Sequence, residues 1–251
     1  MTRWRRRVRL IGQDGCVISV VLFDLDDTLF AHRKAVEDGV LAHLNATGVA
    51  GHEGSAARWT ELEELHYSRY LSGELDYLGQ RRARARDFMT DFGVVLDRDA
   101  EAEEWFEDYL HSYRAAWTLH DDALPALDAL GSFRLGVITN GVTHFQQPKL
   151  DRLGLTPYFD HVITSGDFGA VKPDPSIFLH ACSVFGVQPA DAAYVGDRLN
   201  TDAIGASAAG LHGIWLARHG ASTAELAAAS GVAVIRTLAA LPPLLGALPL
   251  P

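Results

Sequence analysis

The sequence has few cysteines and no long hydrophobic segment. Cys16 and Cys182 are far apart and stand in no CxxC or Cys/His spacing, which excludes a disulfide framework and a cysteine-based zinc site. None of the eleven histidines falls in a metal-binding spacing. The apolar run at residues 17–23 ends at an aspartate and is too short for a signal core or a membrane span. We therefore expect a cytoplasmic protein with no membrane partner.

Basic residues are also in deficit. The chain of 251 residues has 22 basic and 32 acidic side chains, and its formal net charge is −10. Such a surface repels nucleic acid and acidic lipid on average, so we expect no nucleic-acid partner. An anionic substrate would need local help, such as a metal ion. The hydrophobic fraction of 48% allows one large domain or a core with a smaller domain. Monomer and homodimer both remain open.

The basic residues that are present include a cluster at the N-terminus. Five arginines occur in the first nine residues, MTRWRRRVR, which resembles a targeting signal, but the apolar run that follows is too short for one. We interpret residues 1–16 as a disordered basic extension or as the product of an upstream start site.

The middle of the chain has a different periodicity from its flanks. Residues 32–118 show apolar and aromatic side chains at intervals of three and four, as in Trp59, Leu62 and Leu65, which predicts amphipathic helices. Breakers at 48–55 and at Gly73 separate them into a bundle of four or five. This segment is predicted to be an inserted helical domain between residues 17–31 and residues 119–251.

The flanking segments alternate between strand-like and helical patterns. This rhythm predicts βαβ units, and hence a Rossmann-like parallel sheet covered by helices in an α/β fold. Strands such as 20–23 and 136–138 are apolar on both faces, as expected for a sheet with helices on both sides. In such sheets, ligands bind at the carboxyl ends of the strands. Polar residues follow three of these strands directly, at 24–26, 139–141 and 196–197.

The first of these strand ends carries two carboxylates. Asp24 and Asp26 can both face one crevice if the chain stays extended between them. In phosphoryl transfer, Asp24 would attack phosphorus and form an aspartyl-phosphate. Asp26 would protonate the leaving group and then act as the base on the attacking water. Taken alone, the same pair is also typical of a cap or a turn.

The remaining strand ends and one loop supply further candidates. Thr139-Asn140-Gly141 offers a hydroxyl, an amide and unhindered N–H groups for phosphate, although it is also a turn sequence. Lys172 lies in a loop stiffened by two prolines and would neutralise charge; a solvated lysine is the alternative. Asp197 suits the oxygen-rich shell of Mg²⁺, whereas Asp202 suits either that shell or a helix cap.

Taken together, these motifs resemble the four signature motifs of the haloacid dehalogenase superfamily. The matching residues, in chain order, are Asp24-Leu25-Asp26-Asp27-Thr28, Thr139-Asn140, Lys172, and Asp197 with Asp202. The resemblance covers residues 17 to 245, and the helical insertion is similar to the C1 cap of subfamily I. Within the superfamily, the motifs look most similar to pyrimidine nucleotidase-like and acylneuraminate-phosphate phosphatase-like members.

The resemblance implies a role for each motif. It implies a Mg²⁺-dependent phosphatase acting on a small phosphorylated metabolite, a nucleoside monophosphate or a sugar phosphate. Asp24 would be the nucleophile and a metal ligand, and Asp26 the acid/base and a ligand through its backbone carbonyl. Asp197 would be a further ligand, and Asp202 would bind or orient the metal shell. The substrate phosphate would be bound by the motif residues Thr28, Thr139, Asn140, Gly141 and Lys172, and Thr28 would also support Asp26.

Other functions use the same scaffold. A hydrolytic dehalogenase would need neither a proton-donating second aspartate nor Mg²⁺, so Asp26 argues against it. A phosphomutase would keep the whole set and require a bisphosphate activator. A non-catalytic binding module is expected to have lost one of the four charged residues Asp24, Asp26, Lys172 and Asp197, all of which are present.

Two further features bear on the substrate. Tyr77 and the arginines at 81, 82, 84 and 86 are candidate substrate contacts, yet an arginine run on a helix is more typical of a solvated face. Pro148 lies in the helix predicted after Thr139, so that helix is expected to start late or to kink.

Overall fold

The computed structural model describes residues 18–246, and the extension predicted for residues 1–16 lies outside them. One part of the chain forms a sheet of six strands: β1 (Val20–Phe23), β2 (Arg134–Thr139), β3 (His161–Thr164), β4 (Ala192–Gly196), β5 (His212–Leu216) and β6 (Ala233–Ile235). All neighbouring pairs are parallel, in the order β3-β2-β1-β4-β5-β6. The parallel α/β sheet predicted from the strand and helix rhythm is confirmed.

Strand β1 lies at the point where the strand order reverses. Its four residues are fully buried, because apolar side chains on both faces are covered. The register pairs Phe23 with Val137 on one side and with Val195 on the other. The carboxyl ends of β1, β2 and β4 are therefore level with one another, which is where open α/β sheets bind ligands.

Residues Ala31–Thr118 form a separate compact unit between Phe30 and Leu119. It consists of four helices, namely α1 (His32–Thr47), α2 (Ser55–Leu71), α3 (Tyr77–Thr90) and α4 (Asp99–Ala115). Helix α1 ends where Gly48 adopts a φ of 74°, a left-handed conformation that glycine takes without steric cost. The rings of Trp59, Trp105 and Tyr109 pack together inside this unit.

The arginine run on α3 is not an exposed face, and Arg84 is its most buried member. Arg84 is only 3% exposed, and its guanidinium carbon lies 3.7 Å from the ring centroid of Trp59. Its Nη1 lies 3.0 Å from Glu63 Oε1. The solvated-face interpretation is wrong for Arg84, because a planar guanidinium stacks on an aromatic ring and so can enter an aromatic core.

The other unit contains the remaining α-helices around the sheet. These are α5 (Ala123–Ala129), α6 (Thr143–Arg152), α7 (Ser165–Phe168), α8 (Pro175–Phe185), α9 (Gly205–Ala208), α10 (Thr223–Ala228) and α11 (Leu241–Leu244). Helix α6 begins at Thr143 and continues through Pro148, so the proline does not end it. None of the helices within residues 18–246 combines the length and the apolar character needed to cross a membrane.

Candidate active site

The site begins at the end of β1. The backbone N–H of Asp24 still donates to Val195 on β4, at 2.8 Å, so this residue continues the strand. The Asp24 side chain is buried, and its Oδ1 lies 2.6 Å from Lys172 Nζ. Its Oδ2 accepts a hydrogen bond from the Thr28 hydroxyl at 3.2 Å. Thr28 was expected to support Asp26, but its one hydroxyl proton points at Asp24.

A tight loop then returns the chain after Asp24. Asp27 has a φ of 59°, and its N–H donates to the Phe30 carbonyl at 2.7 Å. An aspartate tolerates this left-handed conformation better than a branched residue does. The turn leaves the side chain of Asp26 31% exposed, with its Oδ1 2.7 Å from Lys149 Nζ and its Oδ2 3.0 Å from Gln146 Nε2.

The second motif lies at the end of β2. Thr139 is buried, and its hydroxyl accepts a hydrogen bond from Gln146 Nε2 at 2.6 Å. The Asn140 amide donates to the Lys172 carbonyl at 3.0 Å and accepts from the Lys172 N–H at 2.7 Å. Asn140 therefore fixes the backbone that carries Lys172. The predicted binding of phosphate by Thr139, Asn140 and Gly141 stays a prediction.

The Lys172 ammonium lies among three oxygen acceptors. It donates to Asp24 Oδ1 at 2.6 Å, to the Tyr194 hydroxyl at 2.7 Å and to Asp202 Oδ1 at 2.7 Å. Three acceptors match the three protons of an ammonium group. The Tyr194 hydroxyl in turn donates to the Ile138 carbonyl at 3.0 Å. Lys172, which the two prolines were expected to orient, is buried at the end of β1 and is not a solvated surface residue.

The end of β4 supplies two more carboxylates. Asp197 follows Gly196, and Asp202 lies in the π-helical turn Leu199–Ile204 with its Oδ2 accepting the Arg198 N–H at 3.0 Å. A Cβ at position 196 would lie 2.4 Å from Cγ of Asp202, so only glycine leaves room for this carboxylate. Asp202 therefore both accepts a local backbone N–H and pairs with Lys172.

Asp24, Asp197 and Asp202 form an acidic cluster. One oxygen from each lies within 4.8 Å of the others, and Asp24 and Asp202 are buried. An octahedral Mg²⁺ shell with bonds of about 2.1 Å spans about 4.2 Å between opposite oxygens. The cluster thus offers hard oxygen donors at a separation that a small divalent cation can draw together.

Burial governs the charge of the cluster. It raises the pKa of Asp24, and although the Lys172 ammonium lowers that pKa, the net shift is upward. Burial likewise raises the pKa of Asp197, and the charges of Asp24 and Asp202 raise it further. Burial alone would lower the pKa of Lys172, but the carboxylates of Asp202 and Asp24 outweigh it. One ammonium does not neutralise all the carboxylates, so a divalent cation fits the cluster electrostatically.

Sequence reasoning missed three residues of this site. Gln146 and Lys149 contact Asp26, and Tyr194 contacts Lys172. The first two are three residues apart on a helix that follows Thr139, so they share one helix face. That spacing could have identified Gln146 and Lys149 as candidate site residues from the sequence. Tyr194 lies within a strand that is otherwise apolar, and nothing in its local pattern distinguishes it from a core tyrosine.

Known proteins share both the sequence and the fold. Residues 18–210 match the haloacid dehalogenase-like hydrolase family. The chain is 33% identical over 198 residues to a glyceraldehyde 3-phosphate phosphatase from Methanopyrus kandleri, covering 78% of this chain and 82% of that protein. It is 39% identical over 211 residues to an N-acylneuraminate-9-phosphatase from Mus musculus, covering 81% and 84%. The crystal structure of a 2-haloacid dehalogenase from Pseudomonas syringae is 30% identical with a TM-score of 0.63, covering 92% and 99%.

Proposed function

Because this chain belongs to the haloacid dehalogenase-like hydrolases and is a phosphoric monoester hydrolase like its curated relatives, we propose that it hydrolyses a small phosphorylated metabolite through an aspartyl-phosphate on Asp24. The family expected from the four motifs is confirmed. The observation that carries the proposed mechanism is the contact between Asp24 Oδ1 and Lys172 Nζ at 2.6 Å, at the point where the strand order reverses. A carboxylate and an ammonium held together at a strand end suit attack on a phosphate and neutralisation of its charge.

The reaction proceeds in two displacements. An oxygen of Asp24 attacks phosphorus, the bond to the leaving oxygen breaks, and Asp26 gives that oxygen a proton. Water then attacks the phosphorus of the aspartyl-phosphate and loses a proton to Asp26, which releases inorganic phosphate and restores Asp24. Asp26 suits this exchange because 31% of its side chain is exposed, whereas Asp24 is largely enclosed.

We assign Mg²⁺ to the acidic cluster. Asp24, Asp197 and Asp202, with the backbone carbonyl of Asp26, would hold it. When bound there, the ion supplies positive charge to the phosphate oxygens. The chain's own contribution is to orient these groups. The Thr28 hydroxyl donates to Asp24 and accepts the Asp197 N–H at 3.1 Å, so one buried side chain couples the two strand ends.

We place the substrate among small phosphorylated metabolites, and the first candidates are sugar phosphates. The relatives named for glyceraldehyde 3-phosphate and for N-acylneuraminate 9-phosphate support this order, ahead of nucleoside monophosphates. A panel that contains these two classes and phosphoglycolate, with release of phosphate as the readout, identifies the substrate. We also propose a cytoplasmic location, supported by the low cysteine content.

The decisive experiment is hydrolysis of p-nitrophenyl phosphate. We expect Mg²⁺-dependent activity that falls at least about 1000-fold in Asp24→Asn, which removes the nucleophile but keeps the side chain's shape. Asp97→Asn, at an exposed carboxylate of the inserted unit, is the matched control and should keep wild-type activity. Full activity of Asp24→Asn, or full activity in excess chelator, would refute the assignment.

Dehalogenation is the second candidate, because the similar structure from Pseudomonas syringae is a 2-haloacid dehalogenase. A halide leaves without protonation, so that reaction has no use for a proton donor at Asp26. Here Asp26 is held by two side chains of α6. We expect no chloride release from 2-chloropropionate under conditions in which phosphate is released. Chloride release without phosphatase activity would favour the second candidate. A requirement for a bisphosphate activator would instead indicate a phosphomutase.

A further inference from the structure

Helix α6 holds both carboxylate oxygens of Asp26. Lys149 Nζ lies 2.7 Å from Oδ1, and Gln146 Nε2 lies 3.0 Å from Oδ2. The two donors are 123 and 120 residues away in sequence but one helical turn apart on α6. Because both oxygens accept a hydrogen bond, rotation of the Asp26 carboxyl group about its Cβ–Cγ bond is restricted more than a single contact would restrict it.

Lys149 is built into the fold and is not a surface lysine. Its side chain is 9% exposed, and its ammonium lies 5.0 Å from the ring centroid of Phe30. Burying an ammonium is unfavourable unless a carboxylate and an aromatic face compensate for the lost water. Both compensating groups belong to the loop that carries Asp26, so Lys149 connects α6 to that loop.

Gln146 is also held in place by its contacts. Its Nε2 has two protons, and the two acceptors are Asp26 Oδ2 and the Thr139 hydroxyl at 2.6 Å. A Cβ at Gly141 would lie 2.8 Å from this nitrogen and 3.0 Å from Cδ and Cγ of Gln146. The backbone of Gly141 is not left-handed, so its value is the space it leaves. The glycine of the second motif therefore makes room for a side chain that reaches Asp26.

We propose that Gln146 and Lys149 are positioning residues that fix the Asp26 carboxyl group, which enters the reaction protonated, for proton transfer to the leaving oxygen. The inference rests on the proposed function, in which Asp26 is the acid. It predicts that removing either residue slows hydrolysis most for those substrates whose leaving oxygen must be protonated. An alkyl phosphate needs protonation of its leaving oxygen, whereas p-nitrophenolate leaves largely without it.

The test compares kcat/KM for β-glycerophosphate and for p-nitrophenyl phosphate in Lys149→Met and Gln146→Leu. Both variants keep the length or shape of the side chain and remove the donor. We expect kcat/KM to fall about 10- to 100-fold for the alkyl ester and less than about 5-fold for the aryl ester. Lys149→Arg, which keeps the charge, should recover part of the alkyl activity. An equal loss on both substrates, or no loss on either, would overturn the proposal.

A second measurement asks whether the effect passes through Asp26. In an Asp26→Asn background, Lys149→Met should no longer change the ratio of alkyl to aryl kcat/KM, because the group it positions is gone. A ratio that still changes overturns the proposal. If one single variant does not fold, the other decides. Failure of the proposed function would be separately visible, because wild-type protein would then lack phosphatase activity or Asp24→Asn would retain it.

Discussion

Asp122 and Arg218 form an ion pair that, with its hydrogen bonds, connects four segments of the sheet-containing unit. Arg218 donates to both oxygens of Asp122, at 2.8 and 2.9 Å, and one of its nitrogens also donates to the Thr28 carbonyl at 2.8 Å. Asp122 Oδ2 further accepts the Thr237 hydroxyl at 2.6 Å and the Leu238 N–H at 2.8 Å. We expect Asp122→Asn to destabilise the protein by loosening this junction.

The magnitude follows from the pKa of Asp122. Burial alone would raise it, but the hydrogen bonds from Arg218, Thr237 and Leu238 outweigh burial and lower the pKa from 3.8 to about 2. The side chain is 18% exposed, so solvent screens the pair only in part. A difference of this size corresponds to about 2 kcal/mol of folding free energy at pH 7. We expect Asp122→Asn to lose that amount.

The pH dependence has a definite sign. The pKa of Asp122 is depressed in the folded state, so its contribution is present above the unfolded value of 3.8 and is lost as the pH falls through about 2. Urea denaturation at pH 7 and pH 3 should show the difference between wild type and Asp122→Asn falling by about half. Asp121→Asn, at the exposed neighbouring carboxylate, is the control. A difference below about 0.5 kcal/mol at pH 7, or one that grows at pH 3, would refute the reasoning.

Two further predictions concern the site. Burial raises the pKa of Asp24 and Asp197, so in metal-free protein their contribution to stability is lost as the pH rises. Saturating Mg²⁺ should therefore raise Tm by about 5 °C more at pH 8 than at pH 6. Differential scanning fluorimetry checks this, and a larger shift at pH 6 contradicts it. Tyr194→Phe removes one acceptor from Lys172 and should lower stability by about 1 kcal/mol in urea denaturation while lowering kcat. Unchanged kcat would show that Asp24 and Asp202 hold Lys172 without Tyr194.

Local patterns were sufficient for the elements and for the polar strand ends. A strand buried on both faces is a short, almost wholly apolar run, so β1 and β2 could be predicted from the sequence. Parallel strands expose their carboxyl ends at one edge, so polar residues directly after them were expected to gather there. Asp24, Lys172 and Asp202 do lie together at that edge. The period of the aromatic residues likewise predicted the helices of the inserted unit.

The sequence by itself therefore determined the fold class, the strand ends and the residue types of the site, because these depend on periodicity and on neighbours along the chain. Only the tertiary structure decided which side chains meet. It directed the Thr28 hydroxyl to Asp24, buried Arg84 against Trp59 and brought α6 to Asp26. A helical period states which residues share a face, but what that face meets depends on packing against other segments, as where α6 meets Asp26 from 120 and 123 residues away.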